Sequence, residues 1–257
     1  MTKAFDSVAS SYDEDFSTTR IGQTQRKQVW KQLLPLLSKT KKVIEVSCGT
    51  GVDAAFMADK VASILASDIS EAMLAEAEKK KEKQQLNNCT FICLDAANLQ
   101  LQNQPSFDLL FSNFGGLNCL SPTQLQHFAR QSYALLNANA DVCLVFIAKK
   151  CVWERIYFLF RHTKNRGRRL LQGGTPTNIG GQSFLTHYYS VKELKQIFEN
   201  YQFVKASPIG LFVPPGFLNN KMPSLLLRFL NWLDKGFSNS EHAADYADHL
   251  LIHFRKV

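Results

Sequence analysis

A glycine-rich bend follows the first apolar run of the chain and has an acid just before it. The stretch VIEVSCGTG runs from Val43 to Gly51, and Glu45 lies among its β-forming residues. Such a bend between a strand and a helix lets the backbone approach a ligand. The pattern GTGVDA at 49–54 fits a dinucleotide fingerprint. However, the negative charges of Glu45 and Asp53 disfavour phosphates, so the bend better suits a ligand with an ammonium or sulfonium group.

Polar residues also close three later apolar runs. Asp68 and Asp95 end the second and third runs, and Asn113 with a glycine pair ends the fourth. A carboxylate at Asp68 can accept hydrogen bonds from both hydroxyls of a ribose. One at Asp95 can accept a hydrogen bond from the exocyclic amine of adenine. Each acid also has a structural interpretation, because Asp68 with Ser70 could cap a helix and Asp95 could be a turn residue. Since successive strand ends meet at one edge, we expect a nucleoside ligand, and the ribose feature alone fits both nicotinamide cofactors and S-adenosylmethionine.

The alternation of short β-rich runs with helical patterns predicts a parallel α/β sheet. The predicted fold is a doubly wound, mostly parallel, seven-stranded Rossmann-like sheet with helical lid insertions. The first five strands are predicted at 42–47, 63–67, 90–94, 107–112 and 141–148, and the helices between them at 52–60, 71–86 and 121–136. A helix at 190–201 and strands at 202–213 and 249–257 complete the predicted elements.

Two regions depart from this alternation. We expect an N-terminal helical entry segment over residues 1–40 and one domain over 41–257. Insertions are predicted at about 149–187, ending in a glycine-rich bend, and at about 214–247. Both leave from the carboxyl ends of predicted strands, so we expect them to pack together over that edge as a lid.

The order of these motifs resembles the class I S-adenosylmethionine-dependent methyltransferases of the small-molecule type. The stretches that carry the resemblance are VIEVSCGTG, ASDIS followed by ML, LDAANL and FDLLFSNFGGLNCL, with AFDSVASSYD similar to the helical entry segment of the same group. The match covers roughly residues 4–150, with a weaker similarity in the last two strands. One departure is Ser47, where the family usually has its first glycine. Because serine tolerates fewer backbone conformations, either this position has ordinary β dihedral angles or the loop differs slightly.

The resemblance implies S-adenosyl-L-methionine as the cofactor and gives roles to the residues at the strand ends. Glu45 and the loop from 47 to 51 are implied to hold the methionine end. Asp68 is implied to bind the ribose, and Asp95 with Ala96 the adenine.

Residues of the N-terminal segment are also expected to contribute to this site. Tyr12 and Arg26 are predicted to close over the cofactor, with Arg26 pairing with its carboxylate, although both could be surface residues of amphipathic helices. The complete predicted cofactor set is Tyr12, Arg26, Glu45, Ser47, Cys48, Gly49, Gly51, Asp68, Ile69, Met73, Asp95, Ala96 and Asn113.

Methyl transfer from a sulfonium is an in-line displacement, which needs alignment and exclusion of water rather than a covalent intermediate. A general base is needed only if the acceptor must lose a proton. The candidates on the acceptor side are Tyr157, His187, Tyr188 and His249. Apolar side chains at helical spacing in CVWERIYFLFR and LLLRFLNWL indicate a small, apolar or aromatic acceptor, although such stripes also build cores.

The segment 149–169 carries eight Lys or Arg and one acid, Glu154, in a chain with a net charge of +8. Such a segment attracts nucleic acid, anionic lipid or acidic substrates, or is simply solvated. An RNA methyltransferase is one alternative, although strand four ends in SNFG and lacks the (D/N/S)PP(Y/F/W) signature; a non-catalytic cofactor-binding protein is another. Because cations and aromatics fall on different helical faces, we expect the cations to face water, anionic lipid or an acidic group on the substrate. Reversal of Arg166, Arg168 and Arg169 to Glu is then predicted to change small-molecule turnover only a fewfold, unless the substrate is itself anionic.

Composition bounds the remaining expectations. With 45% hydrophobic and 20% charged residues, the chain is typical of a globular protein. Its polar, acidic N-terminus is unlike a signal peptide, and no apolar run has the length of a membrane span. The six cysteines form no CxxC pair, so we expect reduced thiols, no metal site and a cytoplasmic location. The expected partner is a small molecule, with nucleic acid disfavoured and peripheral membrane contact left open; the motifs do not indicate an oligomeric state.

Overall fold

Nine strands form a central sheet and a separate hairpin in the computed structural model, which describes residues 2–101, 106–160, 167–171 and 173–257. The strands are β1 Lys42–Val46, β2 Ser63–Asp68, β3 Cys89–Cys93, β4 Phe107–Ser112, β5 Leu136–Ile147, β6 Thr175–Ile179, β7 Gln182–Thr186, β8 Tyr201–Ile209 and β9 His249–Lys256. Seven of them form one sheet in the order β3-β2-β1-β4-β5-β9-β8. β1 to β5 are parallel, whereas β9 is antiparallel to β5 and to β8. The predicted seven-stranded, mostly parallel sheet is therefore confirmed.

Helices cover both faces of this sheet. They are α1 Thr2–Asp6, α2 Arg20–Leu33, α3 Val52–Ala58, α4 Glu71–Gln84, α5 Pro122–Leu135, α6 Val152–Phe160, α7 Val191–Ile197, α8 Ser224–Phe237 and α9 Glu241–Ala244. Local sequence fixes several of their starts. Ser70 accepts a hydrogen bond from the backbone of Met73 at the start of α4, and Ser121 and Ser190 form capping boxes with Gln124 and Glu193.

Successive residues of a strand belong to two different hydrophobic cores, one on each face of the sheet. Ile44 lies in a buried cluster with Phe128 of α5, and its neighbour Val43 lies in a second cluster with Val29 of α2. Side chains of successive strand residues point to opposite faces. A sheet buried on both faces explains why these strands are nearly continuous apolar runs in the sequence.

The parallel register brings the carboxyl ends of the first strands together. Glu45 pairs with Ala66 of β2 on one side and with Phe111 of β4 on the other. The segments that follow these strands therefore share one edge of the sheet, which is where a doubly wound fold binds its ligand.

Two elements differ from the prediction. β5 begins at Leu136, directly after α5, rather than at 141. The glycine-rich bend expected at the end of the first insertion is the turn of a hairpin, β6–β7, with positive φ angles of 57° at Gly180 and 79° at Gly181. Two successive left-handed residues suit the turn that joins twisted antiparallel strands.

The two insertions contact each other where they leave the sheet. The backbone N–H of Val152 donates to the carbonyl of Tyr246 at 3.0 Å, and the rings of Tyr157 and Phe217 lie 5.0 Å apart. A lid function for these insertions, and the boundary near residue 40, stay predictions. Within the described residues, no helix is both long and apolar enough to cross a membrane.

Candidate cofactor and acceptor site

The bend after β1 is left-handed at three positions. Ser47, Gly49 and Gly51 have φ angles of 56°, 54° and 72°. Ser47 thus has the conformation that glycine adopts most easily, and not the ordinary β conformation considered above. Its side chain fills the space beside Gly116, where an added Cβ would lie 2.3 Å from the Cβ of Ser47. A serine in the bend is therefore accommodated by a glycine after β4.

Glu45 provides a buried acid without a partner at the start of this bend. The residue is 1% exposed, and its Oε2 has no hydrogen-bond partner within the described structure. Burial, followed by the charge of Asp53, raises the pKa of Glu45 well above its ordinary value. An unsatisfied buried carboxyl is costly unless a ligand meets it. The residue therefore fits the cationic end of a ligand such as an amino acid.

Asp53 is not the free negative charge that the sequence predicts. It forms an ion pair with Nη1 of Arg26, and its Oδ1 accepts a hydrogen bond from Nε1 of Trp30 at 2.6 Å. Its Oδ2 also accepts one from Nδ2 of Asn113 at 3.0 Å. Arg26, predicted to pair with a cofactor carboxylate, has Asp53 as a partner in this structure, and its contact with a cofactor stays a prediction. Its guanidinium also lies 4.7 Å from the ring centroid of Phe114, and its buried Nε is unpaired among the described residues.

Asp68 organises the bend as well as lying beside it. Its Oδ2 accepts a hydrogen bond from the backbone of Gly49 at 2.8 Å, and its Oδ1 accepts one from the backbone of Ser70 at 3.0 Å. Burial raises the pKa of Asp68. Asp95 similarly accepts a hydrogen bond from the backbone of Ala97 at 2.8 Å. Both structural interpretations are thus realised. Because a carboxylate oxygen accepts more than one hydrogen bond, the ribose and adenine roles stay predictions beside them.

The remaining predicted cofactor residues lie around the same edge. Cys48 is buried within the bend, and burial raises the pKa of its thiol well above the ordinary value. Met73 is buried in the first turn of α4. Ile69, directly after β2, and Ala96, at the start of a short 3₁₀ turn, are half-buried. Their contacts with a cofactor stay predictions.

Asp13 ties the N-terminal segment to the bend. Its Oδ1 accepts a hydrogen bond from Thr50 at 2.7 Å, and its Oδ2 accepts one from Nζ of Lys80 at 2.9 Å. Burial favours the neutral acid, but these hydrogen bonds and the charge of Lys80 hold the pKa of Asp13 below its ordinary value. Burial raises the pKa of the adjacent Tyr12, and the positive charge of Arg26 offsets only part of this increase. The segment is therefore anchored at the bend, and contact of Tyr12 with a cofactor stays a prediction.

Two of the four acceptor-side candidates are linked to the segment after β4. The ring of His249 meets that of Phe114 edge-on, with centroids 5.2 Å apart. The backbone N–H of His187 donates to the carbonyl of Asn118 at 2.7 Å. Burial lowers the pKa of His187. Both histidines therefore lie at the edge where the bend is found.

The two tyrosine candidates contact the insertions. Tyr157 lies against Phe217 of the second insertion, and the guanidinium of Arg169 lies 5.4 Å from the ring centroid of Tyr188. Burial raises the pKa of Tyr188. These contacts place Tyr157 between the two insertions and Tyr188 beside a cluster of charges.

A cavity of about 670 Å³ opens between the β6–β7 hairpin, the start of α5 and α1. Its lining includes Ala4, Cys119, Phe184 and His187. Burial and then the charge of Asp68 raise the pKa of Cys119 to about 11. The cavity is therefore lined by one acceptor-side candidate, His187.

The arginines at the end of the basic segment do not face water as predicted. Arg169 donates from Nε to Glu154 at 2.7 Å and from Nη2 to Asp248 at 3.0 Å, and all three side chains are buried. Arg168 donates to the same Glu154 at 2.8 Å. Removing a charge from such a buried network is costly. The premise that these cations face water is therefore wrong for Arg169, whereas Arg168 pairs with Glu154 but is 35% exposed. Arg166 lies outside the described residues.

Two organising residues are absent from the predicted set. Asn118 accepts a hydrogen bond at Oδ1 from the backbone of Ile147 at 2.9 Å and donates from Nδ2 to the carbonyl of His187 at 2.5 Å. Asp248 has its Oδ2 3.3 Å from Nδ1 of His249. Against the effect of burial, His249 and the guanidinium of Arg169 hold the pKa of Asp248 well below its ordinary value. The available signals were the position of Asn118 after the glycine pair and of Asp248 before a candidate histidine.

Comparison with known proteins agrees with this arrangement. Residues 43–139 match a family model described as a methyltransferase domain. The malonyl-[acyl-carrier protein] O-methyltransferase of Marinomonas sp. (strain MWYL1) is 32% identical over 131 residues, which are 49% of this chain and 44% of that protein. The demethylmenaquinone methyltransferase of Paenarthrobacter aurescens (strain TC1) is 32% identical over 121 residues, 46% of this chain and 44% of that protein. The chain thus spans less than half the length of these curated relatives.

The fold has solved counterparts over nearly its whole length. A structure of the DhpI–SAH complex is similar with a TM-score of 0.65 and 14% identity, over 99% of this chain and 94% of that one. At this identity the likeness shows the fold alone, and it confirms the predicted fold class. The match of residues 43–139 to a methyltransferase-domain model confirms the resemblance to the methyltransferases that the motifs predict.

Proposed function

We propose that this chain is an S-adenosylmethionine-dependent methyltransferase acting on a small, apolar or aromatic acceptor. The observation that carries the proposal is the buried carboxyl of Glu45, whose Oε2 has no hydrogen-bond partner among the described residues. It lies beside a left-handed glycine bend, within the residues that match a methyltransferase-domain model. Glu45 would meet the ammonium group of the cofactor, Asp68 its ribose and Asp95 its adenine. Gly49 supports the same assignment, because a Cβ at this position would point into open space.

The cofactor supplies an activated methyl group, and the chain aligns the acceptor and excludes water. The segment anchored by Asp13 closes one side of the site. His187 and His249 are the candidates for taking a proton from the acceptor. Because burial lowers the pKa of His187, its imidazole is neutral at neutral pH and able to accept that proton.

The two insertions favour an acceptor that is a small aromatic molecule. The names of the relatives refer to malonyl-[acyl-carrier protein] and to demethylmenaquinone, which represent acyl-carrier and quinone acceptors. Phe114, Tyr157 and Phe217 provide aromatic rings beside the edge and between the insertions. Pockets for small organic ligands are mostly lined by such rings, so a quinone-type acceptor is favoured over an acyl carrier.

RNA methylation is the less favoured alternative. Lys149 and Lys150, the first two cations of the basic segment, pair with Glu193 and Asp245. Arg168 and Arg169 pair with Glu154, as described above. Cations held by carboxylates of the same chain are less available to phosphates.

The test incubates the purified full chain with methyl-labelled S-adenosylmethionine and a cell extract, followed by separation of lipid, aqueous, RNA and protein fractions. We expect label in the organic-solvent fraction, its loss with Glu45→Ala, and its retention with Glu82→Ala, which changes an exposed acid of α4. Label in the protein fraction would indicate a carrier-bound acceptor, and label in RNA would favour the alternative. No label above that of heat-denatured protein would indicate a cofactor-binding protein without catalysis.

A further inference from the structure

Helix α8 turns an apolar stripe away from the protein. Leu225, Phe229 and Trp232 follow each other at spacings of four and three residues, which places them on one helix face. They are 77%, 54% and 63% exposed. The opposite face is anchored, since Leu227 is buried and Asp234 accepts hydrogen bonds from the backbone of the segment after β8.

Helix α6 likewise exposes apolar residues and buries its acid. Ile156, Leu159 and Phe160 are 45%, 46% and 79% exposed, whereas the buried residue of this helix is Glu154. A helix at the surface of a globular protein normally buries its apolar residues and exposes its acids. An outward apolar stripe on two helices therefore indicates a binding surface.

The two helices are neighbours through the segment that joins β8 to α8. Nε1 of Trp153 in α6 donates to the carbonyl of Phe212 at 3.0 Å, and Phe217, which is itself 49% exposed, contacts Tyr157. The exposed apolar residues of both helices, with Phe217 between them, are called the outer surface below. They are Ile156, Leu159, Phe160, Phe217, Leu225, Phe229 and Trp232.

Both helices bury their acid and expose their cations. Each helix contains a single acid, Glu154 in α6 and Asp234 in α8, and both acids are buried. The cations Arg155, Arg228 and Lys235 are all exposed. The two helices therefore present apolar and positively charged side chains outwards and no carboxylate.

We propose that the outer surface docks on an anionic lipid bilayer. Apolar and aromatic side chains flanked by Lys and Arg are the pattern of helices that lie in the membrane interface, with the cations near lipid phosphates. Tryptophan also favours that interface, because its ring is apolar and its N–H is polar. The positive charge disfavours a second copy of the same surface as the occupant, since like charges would then face each other.

The proposal is tested with the full chain and large unilamellar vesicles, without any methyl transfer, so its outcome is independent of the proposed function. We expect sedimentation with vesicles of phosphatidylcholine and phosphatidylglycerol, and weaker sedimentation with phosphatidylcholine alone. Leu225→Ser with Trp232→Ser should lower the partition coefficient at least about tenfold. The matched control, Leu34→Ser with Val204→Ser, removes two exposed apolar residues elsewhere and should change it less than about twofold.

The contribution of the exposed cations and the insertion of Trp232 into the bilayer are tested separately. Arg155→Glu with Arg228→Glu should remove the preference for anionic vesicles, whereas reversal of the exposed Lys79 of α4 should not. Brominated lipid should quench the fluorescence of the wild-type chain, and Trp232→Phe should remove most of the quenching.

Three results would overturn the proposal. They are the absence of sedimentation with both vesicle types, an equal loss in the apolar control, and quenching that Trp232→Phe leaves unchanged. A concentration-dependent dimer that Leu225→Ser with Trp232→Ser abolishes, without vesicle binding, would assign the outer surface to a second copy of the chain.

Discussion

Arg169 and Asp248 form a buried ion pair, in which Nη2 of the arginine lies 3.0 Å from Oδ1 of the aspartate and the side chains are 8% and 6% exposed. The same guanidinium donates from Nη1 to the carbonyls of Ala148 and Asp248 at 2.9 and 3.1 Å. One side chain therefore joins the first insertion to the end of β5 and to the start of β9, next to His249.

Arg169→Met is expected to lower the free energy of unfolding by about 3–5 kcal/mol, because two buried carboxylates lose the buried cation that they share. The matched change Arg168→Met affects a side chain that is 35% exposed and should cost only about 1 kcal/mol. Urea unfolding followed by circular dichroism measures both. Equal costs for the two variants would contradict the structural role of Arg169.

Gly116→Ala is expected to destabilise the protein by about 1–3 kcal/mol through overpacking against Ser47. Ser47→Gly should remove most of that cost, because its Cβ and Oγ are the contacts closer than 3 Å to the added methyl. A double-mutant cycle in thermal unfolding measures the coupling. Gly216→Ala is the control, since an added Cβ there meets no atom within 4 Å. Additive costs of Gly116→Ala and Ser47→Gly would show that the two residues do not contact each other.

Local patterns predict the sheet and the acids at its edge, because parallel strands bring their carboxyl ends together. The positions of Glu45 and Asp68 follow from this geometry. The pairing of Asp53 with Arg26 does not, since their contact depends on how α2 packs against α3. Sequence spacing likewise shows that α6 has an apolar face, but only packing shows that this face points outwards while Glu154 is buried.

Glu45→Gln is expected to stabilise the cofactor-free protein increasingly as the pH rises. Burial raises the folded-state pKa of Glu45, so the folded protein retains a proton that the unfolded chain has released. This contribution to stability is present at low pH and is lost as the pH rises from the ordinary carboxyl pKa through the raised value. Thermal unfolding at about pH 5 and about pH 8 compares the variant with the wild type. A stability difference that shrinks with rising pH would contradict the raised pKa.

Asp13→Ala is expected to speed dissociation of S-adenosylhomocysteine about tenfold, because the N-terminal segment loses its hydrogen bonds to Thr50 and Lys80. Glu14→Ala, at the exposed neighbouring acid, should leave the rate unchanged. Stopped-flow displacement measures both. Unchanged dissociation from Asp13→Ala would show that this anchor does not retain the cofactor.

Titration calorimetry of S-adenosylmethionine and NAD against the wild type and Asp68→Ala tests the central claim most directly. The proposed site predicts that S-adenosylmethionine binds the wild type more tightly than NAD does. It also predicts a loss of about tenfold to a hundredfold in Asp68→Ala, as expected for lost ribose hydrogen bonds. Tighter binding of NAD, or no heat of binding with S-adenosylmethionine, would contradict the assignment of this edge as a methyltransferase cofactor site.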